Sequence, residues 1–397
     1  MKKVLVVCMS LLCSVGFAQD LSKSRKVANS VTVGKETMTV CDKSLLKDVI
    51  TLPLSYFTEE MEMVKLEVKD EAVVATGAVI IGEKHILVKG SGNNPYKLFA
   101  KDGKFITNIG SRGKGPGEYQ NVYDEVLDEK NDRIYLLPWS SQVILVYDLK
   151  GKVLDPVRLP MNVPKGKIFV DPSGTTVSVF AVPWEGSPYI AWNQKISGEM
   201  IGGVAPKYLS INPRNASGSF TGFNNEVTAS KNTSDIASYL FTFGARLDTL
   251  YHYNTASNKL LPRFAVNYGR MATPICSYVE LPRHYMGDIS EMKQVGENTF
   301  ETANPFYFVV EKSTLKGSYF KLENDFLGDM EIGWPIYSFS NGYYIKNYDP
   351  GDLLEDLEKL LSENKKMSSA MRQKLTKLKD SVSEKDNNYI FYAKLKK

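Results

Sequence analysis

Tyr96-Lys97-Leu98-Phe99-Ala100-Lys101-Asp102-Gly103-Lys104-Phe105 lies without a gap over Ile144-Leu145-Val146-Tyr147-Asp148-Leu149-Lys150-Gly151-Lys152-Val153. Each stretch reads as strand, two-residue turn, strand, with glycine supplying the turn. The glycine returns at Gly198, so Gly103, Gly151 and Gly198 stand 48 and 47 residues apart. A repeat of that period built from short antiparallel strands is the signature of a four-stranded propeller blade.

Working outward from that pair, blade 1 is read over about Gly77 to Ile109, blade 2 over Tyr123 to Leu159, and blade 3 over Lys167 to Val204. The segment Pro206 to Ser234, rich in Asn, Ser and Gly, reads as a long loop. Blade 4 follows over Ile236 to Tyr268, blade 5 over Ile289 to Leu322, and blade 6 from near Ile336.

The last blade is interrupted by a helical insertion, residues 350–382. Asp349 suits an N-cap, Pro350 the first helical position, and Leu353, Leu357, Leu360 and Leu361 form one stripe. A second helix is expected from Ser368, with Met371, Leu375 and Leu378 inward. The strand pattern resumes over Tyr389 to Leu395 and leaves blade 6 one strand short. The early segment Met61 to Val68 is expected to supply it, so that both chain ends close one blade. The expected fold is all-β, a six-bladed β-propeller over residues 48–397.

At the other end, Lys2 and Lys3, the apolar run Val4 to Leu12 and Gly16-Phe17-Ala18 have the three regions of a secretory signal peptide, residues 1–18. Residues 19–47 are polar and read as a flexible lead-in. A lipid anchor is not expected, because Val7 and Leu12 stand before Cys8 and Cys13 where a small residue is needed. The expected location is periplasmic or outer-membrane associated, with no transmembrane span. The net charge of +4 falls to +2 once Lys2 and Lys3 leave, too little to indicate nucleic acid. Cys41 and Cys276 remain after export, either bridged or as two buried thiols.

Leu52-Pro53-Leu54-Ser55, Val64-Lys65-Leu66-Glu67, Gly110-Ser111-Arg112-Gly113-Lys114-Gly115-Pro116-Gly117-Glu118-Tyr119, Asp248-Thr249-Leu250-Tyr251 and the final strand from Asn388 to Lys396 resemble the six-bladed β-propeller proteins common in Bacteroidetes, of the TolB-like or NHL-like kind. The resemblance covers nearly all the chain after the signal, and Gly-Pro-Gly-Glu-Tyr is its most specific motif. It implies six blades and export, and it supplies no catalytic set.

In a four-stranded meander (strands a to d) the b-to-c loops and d-to-a crossings emerge on one rim. Trp139 and Trp184, each after a proline, fall in b-to-c loops. Arg112, Lys114, Glu118 and Tyr119 are read in the crossing from blade 1 to 2, Arg246 and Asp248 in the blade 4 b-to-c loop, and Arg270, Arg283, His284 and Tyr285 in the crossing from blade 4 to 5. Exposed aromatics beside arginines and carboxylates suit a polar ligand with apolar patches. The first reading is therefore a non-catalytic binding or scaffold propeller for a glycan, peptide or protein. The competing account has the tryptophans plugging gaps between blades and the arginines neutralising carboxylates.

The second reading is a hydrolase or lyase acting on a sugar or ester in the central funnel. His284 would be the base or acid, with Glu118 or Asp248 as its partner. Against it stands the plain structural use of a lone histidine; His85 and His252 sit in strand patterns and read as packing residues. The glycines around Lys114 lack the Gly-Lys-Ser/Thr ending of a phosphate cradle. There is no HExxH, CxxC pair, calcium loop or Gly-x-Ser-x-Gly elbow, so no metal, cofactor or catalytic residue is assigned.

Overall fold

Six blades, each with four core strands in antiparallel order and two of them extended by added strands, follow one another around a ring in the computed structural model, which describes residues 20–92, 94–212, 225–241, 249–271, 274–296, 300–303 and 305–397. The signal sequence read at 1–18 lies outside the described residues.

Blade 1 comprises Val79–Ile81, His85–Val88, Tyr96–Ala100 and Phe105–Ile109, and blade 2 Val122–Asp128, Arg133–Pro138, Ser141–Tyr147 and Val153–Val163. Blade 3 comprises Gly166–Val170, Thr176–Ala181, Ala191–Lys195 and Met200–Val204. The repeated glycines take the positive φ that their turns require, +88° at Gly103, +81° at Gly151 and +96° at Gly198.

Blade 4 starts earlier than its pattern indicated, with Glu226–Thr228 before Ala237–Phe241, Leu250–Asn254 and Lys259–Asn267. Blade 5 also gains its innermost strand upstream, at Pro274–Glu280, ahead of His284–Gln294, Phe306–Glu311 and Gly317–Asn324. That strand escaped because Cys276 to Glu280 are all buried, so no in-out alternation marks them.

Blade 6 is built from Phe339–Ser340, Tyr343–Tyr348, Tyr389–Leu395 and Thr58–Lys65, the last two antiparallel with Tyr389 opposite Lys65. The ring is thus sealed by hydrogen bonds between the beginning and the end of the chain. Residues 19–47, expected as a flexible lead-in, instead hold a hairpin, Ala28–Val33 with Glu36–Asp42. Its second strand runs parallel to Lys259–Asn267, and Val27, Ala28 and Cys41 join the core of blades 4 and 5. Val49–Pro53 then pairs with the outer strand of blade 5. These additions cover edges that would otherwise lie open. Cys41 and Cys276 are buried in that same cluster and form no disulfide; burial pushes the Cys41 thiol up to about 12, so it is held as an inert thiol.

The insertion leaves from the b-to-c position of blade 6 as α1, Pro350–Glu363, and α2, Ser369–Ser381. Asp349 accepts the Gly351 N–H and Ser368 the Met371 N–H, satisfying orphan donors at both helix starts. Leu353, Leu357, Leu375 and Leu378 face inward onto Phe326, Tyr348 and Phe391, so the stripe covers the protein's own core.

The segment 229–235, between the first two strands of blade 4, reaches inner strands of other blades. Lys231 Nζ reaches Asp124 Oδ2 in blade 2 at 2.7 Å and lies over the Phe169 ring of blade 3. Asn341 N–H donates to the Ser230 carbonyl at 2.8 Å, Gly342 N–H to Asn232 Oδ1 at 3.0 Å, and Ser230 Oγ to the Glu280 carbonyl at 3.3 Å. One short loop therefore ties blade 4 to blades 2, 3, 5 and 6.

Candidate functional site

Connectivity divides the loops between two rims. The b-to-c loops and d-to-a crossings form the crossing rim, and the a-to-b and c-to-d turns form the turn rim.

On the crossing rim, the motif at 110–119 is a structural knot. Ser111–Arg112 pairs with Glu118–Tyr119, and the Glu118 carboxylate accepts from the Gly115 N–H at 2.8 Å and Ser111 Oγ at 3.2 Å. Those bonds hold its pKa below the usual carboxylate range. The buried Tyr119 hydroxyl donates to the Ile109 carbonyl at 2.7 Å and accepts from the Tyr96 N–H at 2.8 Å. Tyr147 binds the Gly117 carbonyl at 2.7 Å from the neighbouring blade. Glu118 and Tyr119 thus fix the crossing between blades. Within the same motif Arg112 is half-buried and Lys114 exposed.

Trp139 is 47% exposed between strands b and c of blade 2. Trp184, in the equivalent loop of blade 3, is half-buried and packs on the cluster that includes Val182, Ile190 and Ile211. Arg270 is exposed in the crossing from blade 4 to 5. Arg246 and Asp248 lie outside the described residues.

Arg283, His284 and Tyr285 require correction. Because Pro274–Glu280 is strand a, Leu281-Pro282-Arg283 is the a-to-b turn and the three residues sit on the turn rim, across the ring's thickness from Glu118. His284 is buried against Tyr56 and Phe57, with ring centroids 5.4 and 5.2 Å away, and its Nε2 has no hydrogen-bond partner. Desolvation, with Arg283 and Lys312 adding to it, pushes its pKa down to about 4. Tyr285 stacks on Phe264 at 4.4 Å, and Arg283 is exposed near Glu311. A His284–Glu118 acid-base pair is therefore excluded by topology.

The other two histidines are inter-blade ties rather than simple packing. His85 Nδ1 lies 2.8 Å from Glu129 Oε1 of blade 2, and His252 Nε2 lies 2.7 Å from Glu280 Oε2 of blade 5. Lys312 Nζ holds the other Glu280 oxygen at 2.6 Å. Burial alone would raise Glu129, but hydrogen bonds from the Lys84 N–H, His85 and the Glu83 N–H outweigh it and hold its pKa low.

Sequence reading missed the most exposed aromatics of this rim. Tyr208 lies in the crossing from blade 3 to 4, Phe306 opens strand c of blade 5, and Trp334 and Tyr337 lie in the crossing from blade 5 to 6. With Trp139 they are the exposed aromatic residues among those whose burial the structure describes, and all are on the crossing rim. Trp334 precedes its proline, Pro335, whereas the tryptophans singled out in b-to-c loops follow theirs; a search for either order would have found it.

The family model described as a domain of unknown function, DUF4934, matches residues 37–394. The chain belongs to the DUF4934 family. No curated protein matches it. This DUF4934 chain is similar to the crystal structure of a protein described as exported from Bacteroides fragilis NCTC 9343, at 15% identity and TM-score 0.56, covering 90% of this chain and 100% of that one. A DUF4221 family member from Bacteroides vulgatus is 10% identical with TM-score 0.47, covering 85% of this chain and 97% of the other. At 15% identity the likeness to the Bacteroides fragilis protein speaks for the fold alone. No helix among the described residues of the DUF4934 chain is long and apolar enough to cross a membrane.

Proposed function

We propose that the protein is an exported, non-catalytic binding propeller that takes a glycan, peptide or protein on its crossing rim. The observation carrying this reading is the segregation of exposed aromatics: Trp139, Tyr208, Phe306, Trp334 and Tyr337 share one rim, while the turn rim shows none among the described residues. Exposed aromatics gathered on one face supply the apolar contact area on which most recognition energy depends. Arg112, Lys114 and Arg270 add cationic groups to the same face.

Export is supported by the three-part leader at residues 1–18 and is tested by N-terminal sequencing of secreted material, which should begin at Gln19. Binding is tested by array and pull-down measurements with the native protein and Trp139→Ala. Weaker capture by the variant is expected; equal capture would remove Trp139 from the site.

A further inference from the structure

Exposed rings and buried polar atoms meet at one place on the rim. The turn Pro335–Ser338 packs its Pro335 and Ile336 inward, which pins the backbone, while Trp334 and Tyr337 stay exposed with ring centroids 6.1 Å apart and planes at 55°. The strand Met330–Ile332 leading into that turn packs against the cluster containing the leucines of α1 and α2. The aromatic pair therefore stands on a braced support. Beneath it, the Tyr337 hydroxyl donates to Asp288 Oδ2 at 3.2 Å and lies 3.2 Å from Ser277 Oγ, and Asp288 Oδ1 accepts the Ser277 N–H at 2.6 Å.

Asp288 is buried and has no Lys or Arg paired with it among the described residues. Burial raises its pKa despite these hydrogen bonds. The ground beneath the aromatic pair is therefore rich in acceptors and holds no paired cation. It favours a ligand that donates hydroxyl hydrogens and disfavours one carrying its own negative charge.

We propose that Trp334, Tyr337, Asp288 and Ser277 form a subsite for a neutral saccharide residue. The inference rests on the rim reading and names the ligand class for one part of it. A sugar ring presents an apolar C–H face that packs on an aromatic surface, and donating hydroxyls at its edge that suit the acceptor-rich ground under the pair, where Asp288 and Ser277 are buried. Sulfated sugars and uronic acids place an anion against Asp288 and are rejected.

The test is an array of neutral, uronic-acid and sulfated oligosaccharides, followed by calorimetry of the best neutral hit with the full mature chain, Trp334→Ala, Tyr337→Phe and Trp139→Ala. Neutral sugars should bind, with Kd raised roughly tenfold by Trp334→Ala, the scale of an aromatic anchor, and to a smaller extent by Tyr337→Phe, which removes only the hydroxyl. Thermal unfolding confirms that the variants fold, as substitutions at exposed side chains should. The subsite is overturned by an absence of neutral-sugar binding, by a preference for acidic sugars, or by unchanged affinity in both Trp334→Ala and Tyr337→Phe. In any of these cases, ligand capture still lost in Trp139→Ala preserves the rim reading and removes only the subsite.

Discussion

Val64 and Ile390 stand opposite one another in an antiparallel ladder, so the closing contact of the ring joins residues from opposite ends of the chain. Ile390 is fully buried, within a cluster that also holds Leu66, Ile86 and Phe99 of the neighbouring crossing and blade. Closure is therefore a packing interface as well as a set of hydrogen bonds.

Ile390→Ala removes three carbons from that interface and is expected to cost about 2–5 kcal/mol. Urea denaturation should show a lower midpoint. A midpoint equal to the native protein's would mean that the terminal strands contribute little to holding the ring.

The family motif should behave as a structural element. At Gly117 the backbone has φ +73°, and an added Cβ would meet Val153 Cγ2 at 2.6 Å. Gly117→Ala is thus expected to lose more than ~1 kcal/mol from backbone strain and overpacking. Tyr119→Phe leaves the Tyr96 N–H and Ile109 carbonyl without the hydroxyl and should cost about 1–3 kcal/mol. Thermal unfolding checks both.

His284 gives a pH signature. Its folded pKa of about 4 lies below the unfolded value of roughly 6.5, so between them the unfolded chain binds more protons. Its contribution is fully present above about pH 6.5 and falls as the pH drops toward 4, by on the order of 2–3 kcal/mol. Stability measured from pH 8 to 4 should decline over that window, and less so in His284→Phe. Parallel curves for the two proteins would exclude His284 as the source.

Lys231→Met leaves the buried Asp124 with Lys167 at 3.5 Å as its remaining cation. The loss is expected to be roughly 3 kcal/mol, and Asp124→Asn in the same chain should recover part of it by removing the stranded charge. A double-mutant cycle in urea measures the coupling, and zero coupling would refute the tie between blades 4 and 2.

The propeller was legible because blades 1 to 3 repeat a glycine turn at positive φ, and because the strand Tyr389 to Leu395 leaves blade 6 one strand short unless an early strand joins it. The start of blade 5 was illegible for an opposite reason. Pro274–Glu280 lacks surface alternation, and Leu281-Pro282-Arg283 carries no Gly, Asn or Asp to announce a turn. That single missed strand moved His284 to the wrong rim. The hairpin at 28–42 was hidden by its polarity, since its first strand is exposed from Asn29 to Val33, although Gly34 marked the turn. Trp139 was visible as a tryptophan in a loop; the Tyr337–Asp288–Ser277 contact depends on packing between distant segments and has no local signal.

The loop 229–235 has a last consequence. Held on several sides by Lys231, Ser230 and Asn232, it joins blade 4 to inner strands that are not its neighbours around the ring. A chain-like ligand entering between the blades from the aromatic side meets this loop.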